Sequence, residues 1–134
     1  MAQKSRVAPT KEKPGIKFDG TKLRYDLLPP VAIDQLMGVM TFGAAKYGPD
    51  NWRQVDQAED RYFAAAMRHL MAYQAARKSG KWEGKFDKET KLSHLSHAFT
   101  CIGFMVELEV GVMLTEDEIA GLIEKALAAR KVKS

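Results

Sequence analysis

A long apolar segment in the second half of the chain limits the folds that this sequence can adopt. The sequence predicts a helix that begins near Thr90 or Leu92 and continues to about Val112, with apolar residues on nearly every face. Such a helix lies at the centre of a bundle or at an oligomer interface. Glu107 and Glu109 interrupt the longest apolar run, which argues against a membrane span. We therefore expect a buried helix of a small α-helical domain.

Helix start and stop signals predict three further helices. Pro30 suits the first turn of a helix, and Gly48 followed by Pro49 ends that helix. A second helix is predicted over about residues 58–78, and TEDE at residues 115–118 has the form of a capping box that begins a short fourth helix. No segment alternates apolar and polar residues as a strand does. The sequence therefore predicts an all-α bundle of about four helices.

The length of 134 residues predicts one domain. Residues 1–15 carry charge and two prolines without apolar periodicity, so they are predicted to be a flexible basic tail. Residues 16–134 would form the domain, beginning with an irregular basic segment. A short chain with a helix that is apolar all round needs a covering surface, so a homodimer or a larger homo-oligomer is expected.

The charge of the chain indicates the kind of partner that it binds, and its cysteine content indicates the cellular compartment. The net charge is +4, with many lysines and arginines in the first two dozen residues and a second group at residues 78–91. Basic patches attract phosphate, either on nucleic acid or on a nucleotide. The single cysteine, Cys101, permits no internal disulfide, and no secretory signal is visible. We expect a cytoplasmic protein.

Two of the three histidines lie in the stretch DKETKLSHLSHAF. His94 and His97 are about 60° apart around the predicted helix, so they share a face. Asp87 and Glu89 come just before them, and His69 lies on the second predicted helix. Three interpretations remain open: ligands of a divalent ion, acid–base or hydrogen-bonding groups, or buried histidines bound to backbone carbonyls. The chain has no P-loop, no HExxH motif and no histidine followed by aspartate.

Four sequence blocks occur in a recognisable order and spacing: KFDGTKLRYDLLPP, LMGVMTFGAAKYGPDNW, RHLMAY and ETKLSHLSHAF. Together they resemble the dATP/dGTP diphosphohydrolases of bacteriophages, the MazZ-like proteins, which are discussed beside the MazG-type all-α nucleotide pyrophosphohydrolases. The resemblance covers about residues 16–109. It implies metal-dependent hydrolysis of dGTP or dATP to the monophosphate and pyrophosphate, in the nucleotide-pool or modified-purine metabolism of a phage. The implied ion is Mg²⁺ or Mn²⁺, with Zn²⁺ as a further option.

The resemblance also implies roles for matching residues. The expected catalytic groups are His69, His94, His97 and Glu89, and the expected metal ligands are Asp87, Glu89, His69 and His94. Cations would contact the phosphates, and Tyr47 or Trp52 would stack on the base. The residues expected to bind substrate are Lys17, Asp19, Lys22, Arg24, Asp26, Lys46, Tyr47, Asn51, Trp52 and Arg68.

The ligand pattern departs from that of the MazG-type enzymes, which hold their ions with ExxE and ExxD carboxylates on two helices. The middles of the second and third helices here carry histidines instead. Either the ligands have changed, or carboxylates come from the flanks at Asp87, Glu89, Glu59 and Asp60. The alternative from another class is a small basic phage protein that binds nucleic acid through its tail and its lysine-rich loop, without catalysis.

Overall fold

The computed structural model describes residues 14–132. Within this range the chain forms four helices: α1 (Pro30–Tyr47), α2 (Ala58–Ser79), α3 (His94–Val110) and α4 (Glu116–Val132). Short 3-10 turns occur at Tyr25–Leu27, Asn51–Gln54 and Trp82–Lys85. The described residues contain no strand, and one isolated bridge joins Phe86 to Ser93. The predicted all-α fold with four helices is confirmed.

The sequence signals at the ends of α1 and α2 act as expected. Pro30 occupies the first turn of α1, and the helix ends where Gly48 takes a φ of 98°. Residues that have a Cβ atom rarely adopt this backbone conformation, which is why glycine is suited to the position. The bounds of α2 agree with the predicted range to within one residue at each end.

The beginning of α3 differs from the prediction. The helix starts at His94, whereas its start was predicted near Thr90 or Leu92. Residues 87–93 instead form a hydrogen-bonded loop, and Ser93 caps the helix by accepting a hydrogen bond from the backbone N–H of Leu95. In this loop, backbone N–H groups donate hydrogen bonds to the side chains of Asp87 and Thr90. These bonds take the place of helical hydrogen bonds, so the helix does not extend into the loop.

The capping box predicted at the start of α4 is present. Glu118 N–H donates to Thr115 Oγ1 at 3.2 Å, and Thr115 N–H donates to Glu118 Oε2 at 2.8 Å. The helix itself has 17 residues, so the prediction of a short helix was wrong. Acidic residues occupy its first turn and Arg130 and Lys131 its last, an arrangement that complements the helix dipole at both ends.

By its internal contacts the chain divides into two compact units. One unit is Arg24–Met113, and the other contains the described residues on either side, 14–23 and 114–132. A single domain over residues 16–134 stays a prediction. The flexible tail predicted over residues 1–15 lies outside the described residues, apart from its last two positions.

In the unit Arg24–Met113, α3 packs against both α1 and α2. The most deeply buried side chains on α2 and α3 are small: Ala66, Ala76, Ser96, Ala98 and Thr100. Small side chains at a contact allow two helix axes to approach closely. The close contact of α2 with α3 is what brings polar groups from the two helices within hydrogen-bonding distance.

The buried polar residues of α3 are paired. Thr100 Oγ1 donates to the carbonyl of Ser96 at 2.8 Å, and Ser96 Oγ donates to Gln35 Oε1 on α1 at 3.2 Å. No buried side-chain nitrogen or oxygen in the described part of the chain lacks a hydrogen-bond partner. A buried hydroxyl without a partner would be costly, so the bond from Ser96 to Gln35 helps to fix how α3 is placed against α1.

Two helices carry exposed apolar rows. Phe63, Met67 and Met71 on α2 are 41–63% exposed, and α3 has a comparable row at Phe99, Ile102 and Val106. The expectation of a buried helix is therefore wrong for this face of α3 in the single chain, because only Ser96, Ala98 and Thr100 of the helix are fully buried. Oligomerisation stays a prediction. No helix within residues 14–132 combines the length and apolar character that crossing a membrane requires.

The 3-10 turn at Trp82–Lys85 rests closely on α2, and this contact can be tested. A Cβ built on Gly84 would lie 3.0 Å from the Cβ of Ala76. We expect Gly84→Ala to destabilise the protein by about 1–3 kcal/mol, as overpacking does. Urea unfolding measures the change. Gly121→Ala is the control, because a Cβ there meets no atom within 4 Å, and equal stability of the two variants would contradict the contact.

Candidate functional site

A cavity of about 680 Å³ lies in the unit Arg24–Met113. Its wall is formed by the second half of α1, the residues that follow α1, the first half of α2, and parts of the loop before α3 and of α3 itself. Because these segments are distant in the sequence, the fold is what brings their side chains together. Several residues singled out from sequence line this cavity: Lys46, Tyr47, Asn51, Trp52, Arg68, Glu89 and His97.

Three cationic side chains line the cavity, together with the carboxylates of Asp60 and Glu89. Arg61 and Arg68 both lie on α2 and line the cavity, and Lys46 lines it from the end of α1. Residues seven apart on a helix share a face, so the two guanidinium groups are presented on the same side of α2. The role of Arg61 was not predicted, although this spacing from Arg68 is a signal that the sequence contained.

Lys46 joins α1 to the loop before α3. Its Nζ lies 2.7 Å from Glu89 Oε1 and 5.2 Å from the centre of the Tyr47 ring. The carboxylate of Glu89, with a smaller contribution from Tyr47, raises the pKa of Lys46 above its ordinary value. Both partners of the pair are solvent-accessible, so the bond can exchange for a contact with a bound anion at little cost.

Trp52 is already stacked against protein groups. Its ring lies 4.3 Å from Phe104 at an interplanar angle of 9°, and the guanidinium of Arg53 is 4.3 Å from the ring centre. Tyr62 also donates its hydroxyl proton to the carbonyl of Trp52 at 2.8 Å. Trp52 therefore anchors the turn Asn51–Gln54. Tyr47, which is 62% exposed and lines the same cavity, is the more accessible of the two predicted stacking residues.

All three histidines of the chain meet where α2 packs against α3. His69 Nδ1 and His94 Nδ1 are 2.9 Å apart, and the rings of His69 and His97 stack at 4.7 Å with an interplanar angle of 13°. His97 also lines the cavity, so the cluster adjoins the cavity. The shared helix face predicted for His94 and His97 accounts for this meeting with His69.

Asp87 is held in place by the loop that precedes α3. Its Oδ2 accepts hydrogen bonds from the backbone N–H groups of Glu89 and Thr90 and from the Thr90 hydroxyl, at 2.9–3.1 Å. Its backbone N–H and C=O pair with Leu92 and Lys91. Lys91 takes a φ of 62°, a left-handed conformation that costs energy in a residue other than glycine. The loop thus gives Asp87 a fixed orientation next to α3.

The environment sets the charge of these groups. Burial alone would raise the pKa of Asp87, but the hydrogen bonds from Thr90 outweigh burial and lower the pKa below its ordinary value. Burial lowers the pKa of His97 and of His69, and neighbouring histidines lower the pKa of His69 further. These pKa directions favour an ionised carboxylate at Asp87 and neutral imidazoles at His69 and His97, and carboxylate and neutral imidazole are the forms that bind metal ions.

The donor set fits a divalent cation. His69, Asp87 and His94 each offer a ligand atom, and these atoms all lie within 4.8 Å of one another. All three residues were predicted as metal ligands. Glu89, the fourth predicted ligand, is instead paired with Lys46 at 2.7 Å, and its role as a ligand stays a prediction. The flanking Asp60 lines the cavity but is not part of this group.

Other predicted substrate-binding residues lie outside the cavity wall. Arg24 and Asp26 form an exposed ion pair at 2.6 Å with each other. Lys17, Asp19 and Lys22 belong to the other compact unit, where Lys22 N–H donates to the carbonyl of Asp19. The part that these five residues take in binding substrate stays a prediction.

Sequence comparisons agree on one family. The family model described as dATP/dGTP diphosphohydrolase, N-terminal, matches residues 12–118. A curated dATP/dGTP diphosphohydrolase of Salmonella phage PMBT28 is 30% identical over 91 residues, which is 68% of this chain. The chain aligns with 28% of the length of that relative. No solved structure matches the chain.

The histidine cluster predicts a pH dependence of stability. Because the folded protein lowers the pKa of His69 and His97 below the ordinary 6.5, unfolded chains bind more protons as pH falls through that value. The stabilisation is complete above 6.5 and is lost below it. Thermal melts of chelator-treated protein should show the midpoint falling between about pH 7.5 and about pH 5.5.

The same melts on His69→Gln provide the comparison. The chain has only three histidines and all lie in this cluster, so no histidine elsewhere contributes to the change of the melting midpoint with pH. We expect the melting midpoint to fall clearly less with pH in His69→Gln than in the wild type. An identical fall in the two proteins would contradict the lowered pKa values.

Proposed function

The chain belongs to the dATP/dGTP diphosphohydrolase family, and from this membership we propose that it hydrolyses purine deoxynucleoside triphosphates to the monophosphate and pyrophosphate. The observation that carries the proposal is the junction of the cationic cavity with the histidine and aspartate cluster. Arg68 lines the cavity while the neighbouring His69 belongs to the cluster, and His97 belongs to both. Groups for binding phosphates and groups for chemistry therefore adjoin.

The cavity suits a nucleoside triphosphate in size and in lining. Its volume of about 680 Å³ falls within the usual range for small-molecule sites. Arg61, Arg68 and Lys46 would neutralise phosphate charge, and arginine can bind phosphate oxygens in bidentate fashion. Tyr47, exposed in the cavity wall, would stack on the purine. Asn51, which also lines the cavity, would hydrogen-bond to the base or the sugar.

The proposed reaction is attack of water on the α-phosphorus. The new bond joins the water oxygen to phosphorus, and the bond from phosphorus to the bridging oxygen of the β-phosphate breaks. Pyrophosphate leaves with the bonding electrons, and a proton of the water passes to a base. His97 is the group that we assign as this base, because it lines the cavity and burial keeps it neutral at physiological pH.

We propose that His69, His94 and Asp87 hold a divalent ion beside this site. Such an ion would neutralise triphosphate charge and lower the pKa of bound water. Two imidazoles and one carboxylate suit Mn²⁺ or Zn²⁺ better than Mg²⁺, which prefers oxygen ligands. Glu89 becomes available as a further ligand or as a base when phosphate replaces it at Lys46.

We propose the cellular role of the protein from its family membership. A phage enzyme of this activity would act in the cytoplasm of the host, on its nucleotide pool or in making modified purines. We also propose a homodimer or larger homo-oligomer, because the apolar rows of α2 and α3 are exposed in the single chain.

Nucleic-acid binding is the competing function. It is favoured by Trp82, which is 62% exposed and lies 4.1 Å from Lys85 Nζ in the lysine-rich loop. Aromatic and basic groups together bind single strands by stacking and by phosphate contact. Salt-dependent binding of DNA that is lost on deletion of the N-terminal tail, in a chain without turnover, would favour this alternative.

Incubation with each of the four dNTPs tests the proposed activity directly. Mg²⁺, Mn²⁺ or Zn²⁺ is added in turn, and the products are separated by chromatography. We expect dGTP and dATP to give the monophosphate and pyrophosphate, fastest with Mn²⁺ or Zn²⁺. Nucleoside with triphosphate as products, or no product from any dNTP, would contradict the proposal.

Replacement of the histidines of α3 separates catalytic from structural roles. We expect His94→Asn or His97→Asn to abolish turnover while leaving helicity and oligomer size unchanged, because a lost ligand or base acts on the transition state. Activity and circular dichroism are measured on the same samples. Variants that melt early but keep full activity per folded molecule would show that the histidines are structural, with a cost of about 1–3 kcal/mol for a disrupted buried polar group.

A matched pair of arginine variants tests phosphate binding. We expect Arg68→Gln to raise KM for the triphosphate by about 10-fold or more, because a charge-assisted contact to phosphate is lost. Arg77→Gln is the control, since Arg77 lies on the same helix but does not line the cavity. Steady-state kinetics distinguish the two, and an unchanged KM in Arg68→Gln would remove Arg68 from the site.

A further inference from the structure

Thr90 links two residues of the cluster from the loop before α3. Its Oγ1 lies 2.7 Å from His97 Nε2 and 3.1 Å from Asp87 Oδ2. The same oxygen accepts a hydrogen bond from the backbone N–H of Leu92 at 3.2 Å. The hydroxyl therefore has three partners, and it is half-buried, so water competes poorly for them.

The proton count at this hydroxyl has one consistent solution. A threonine hydroxyl has one proton to donate and two lone pairs. Asp87 Oδ2 acts as an acceptor, since it also receives the backbone N–H groups of Glu89 and Thr90. Thr90 thus donates to Asp87, and its lone pairs accept from Leu92 and from His97. His97 must then carry its proton on Nε2.

The opposite arrangement is unfavourable. If Thr90 donated its proton to His97, Thr90 Oγ1 and Asp87 Oδ2 would face each other at 3.1 Å with no proton between them. Two acceptors at that distance repel, and the carboxylate would lose its third hydrogen bond. The hydrogen-bond geometry thus distinguishes the two neutral forms of the ring.

We propose that Thr90 is a positioning residue, which links His97 to Asp87 and fixes the imidazole as the tautomer protonated on Nε2. The lone pair then lies on Nδ1, which is the atom that accepts the proton of the attacking water. This consequence for catalysis rests on the proposed hydrolysis. Stacking on His69, at 4.7 Å and 13°, holds the plane of the same ring.

The link also stabilises the charge that forms during the reaction. When Nδ1 takes the proton from water, the ring becomes an imidazolium whose Nε2–H remains bonded to Thr90. Asp87 Oδ2 lies 3.9 Å from Nε2, so its negative charge favours the imidazolium. Because Oδ2 is engaged by the loop, Oδ1 is the carboxylate oxygen that remains for an ion.

Kinetics of two Thr90 variants test the role in catalysis. Thr90→Val keeps the shape but removes the hydroxyl, and we expect kcat to fall about 10- to 100-fold, the usual loss when a supporting hydrogen bond is removed. KM should change little, because Thr90 does not line the cavity. Thr90→Ser should restore most of kcat. Thr41→Val is the control, since the Thr41 hydroxyl bonds to Met37 on α1 and does not line the cavity.

The tautomer is measured independently of activity, on metal-free full-length protein labelled with ¹⁵N at histidine. Nuclear magnetic resonance at a pH where the rings are neutral shows which ring nitrogen of His97 carries hydrogen. We expect Nε2 in the wild type and a mixture of both forms in Thr90→Val.

The two readouts separate the possible failures. His97 protonated on Nδ1 in the wild type, or full kcat in Thr90→Val, would overturn the role of Thr90. His97 protonated on Nε2 in a protein that hydrolyses no dNTP would leave the link to Asp87 established and would refute the proposed hydrolysis instead. If Thr90→Val does not fold, the tautomer in the wild type and the activity of Thr90→Ser still decide the question.

Discussion

The close contact of α2 with α3 is the constraint on which the rest of the site depends. Small buried side chains lie on both helices, Ala66 on α2 and Ala98 on α3, and small side chains allow two helices to approach closely. Where α2 and α3 are in contact, the Nδ1 atoms of His69 and His94 lie 2.9 Å apart. Larger side chains at the contact would move the two helices apart, so the imidazoles would no longer meet.

Around this contact lie two groups of side chains that the proposed hydrolysis would combine. The cavity between the end of α1 and the start of α2 offers cations and aromatic rings, which bind charge and bases. The loop before α3 offers a carboxylate held by three hydrogen bonds next to neutral imidazoles. Because His97 belongs to both regions, a phosphate in the cavity would lie beside the groups that we propose activate water. Rigid placement of such groups is what lowers a barrier.

The helix ends and the shared face of His94 and His97 could be predicted from the sequence, because the signals for them lie within a few residues of one another. Pro30, Gly48 and the Thr115 capping box set helix ends, and the spacing of His94 and His97 placed both on one face. Thr90 was missed because its partners are set by a loop fold, although an aspartate three residues before a threonine is a recognised signal for such a loop. The sequence also did not show that Phe104 stacks on the ring of Trp52, since that contact is tertiary.

The sequence left open whether the histidines of α2 and α3 or carboxylates from the flanks hold the ion. A crystal structure of the protein with Mn²⁺ and a dGTP analogue that cannot be cleaved between the α- and β-phosphates tests it directly, since anomalous scattering locates the ion. The account predicts Mn²⁺ bound by His69, His94 and Asp87, with the phosphates against Arg68 and Lys46. Manganese bound by Glu59 and Asp60 with the histidines uncoordinated, or the nucleotide bound outside the cavity, would contradict it.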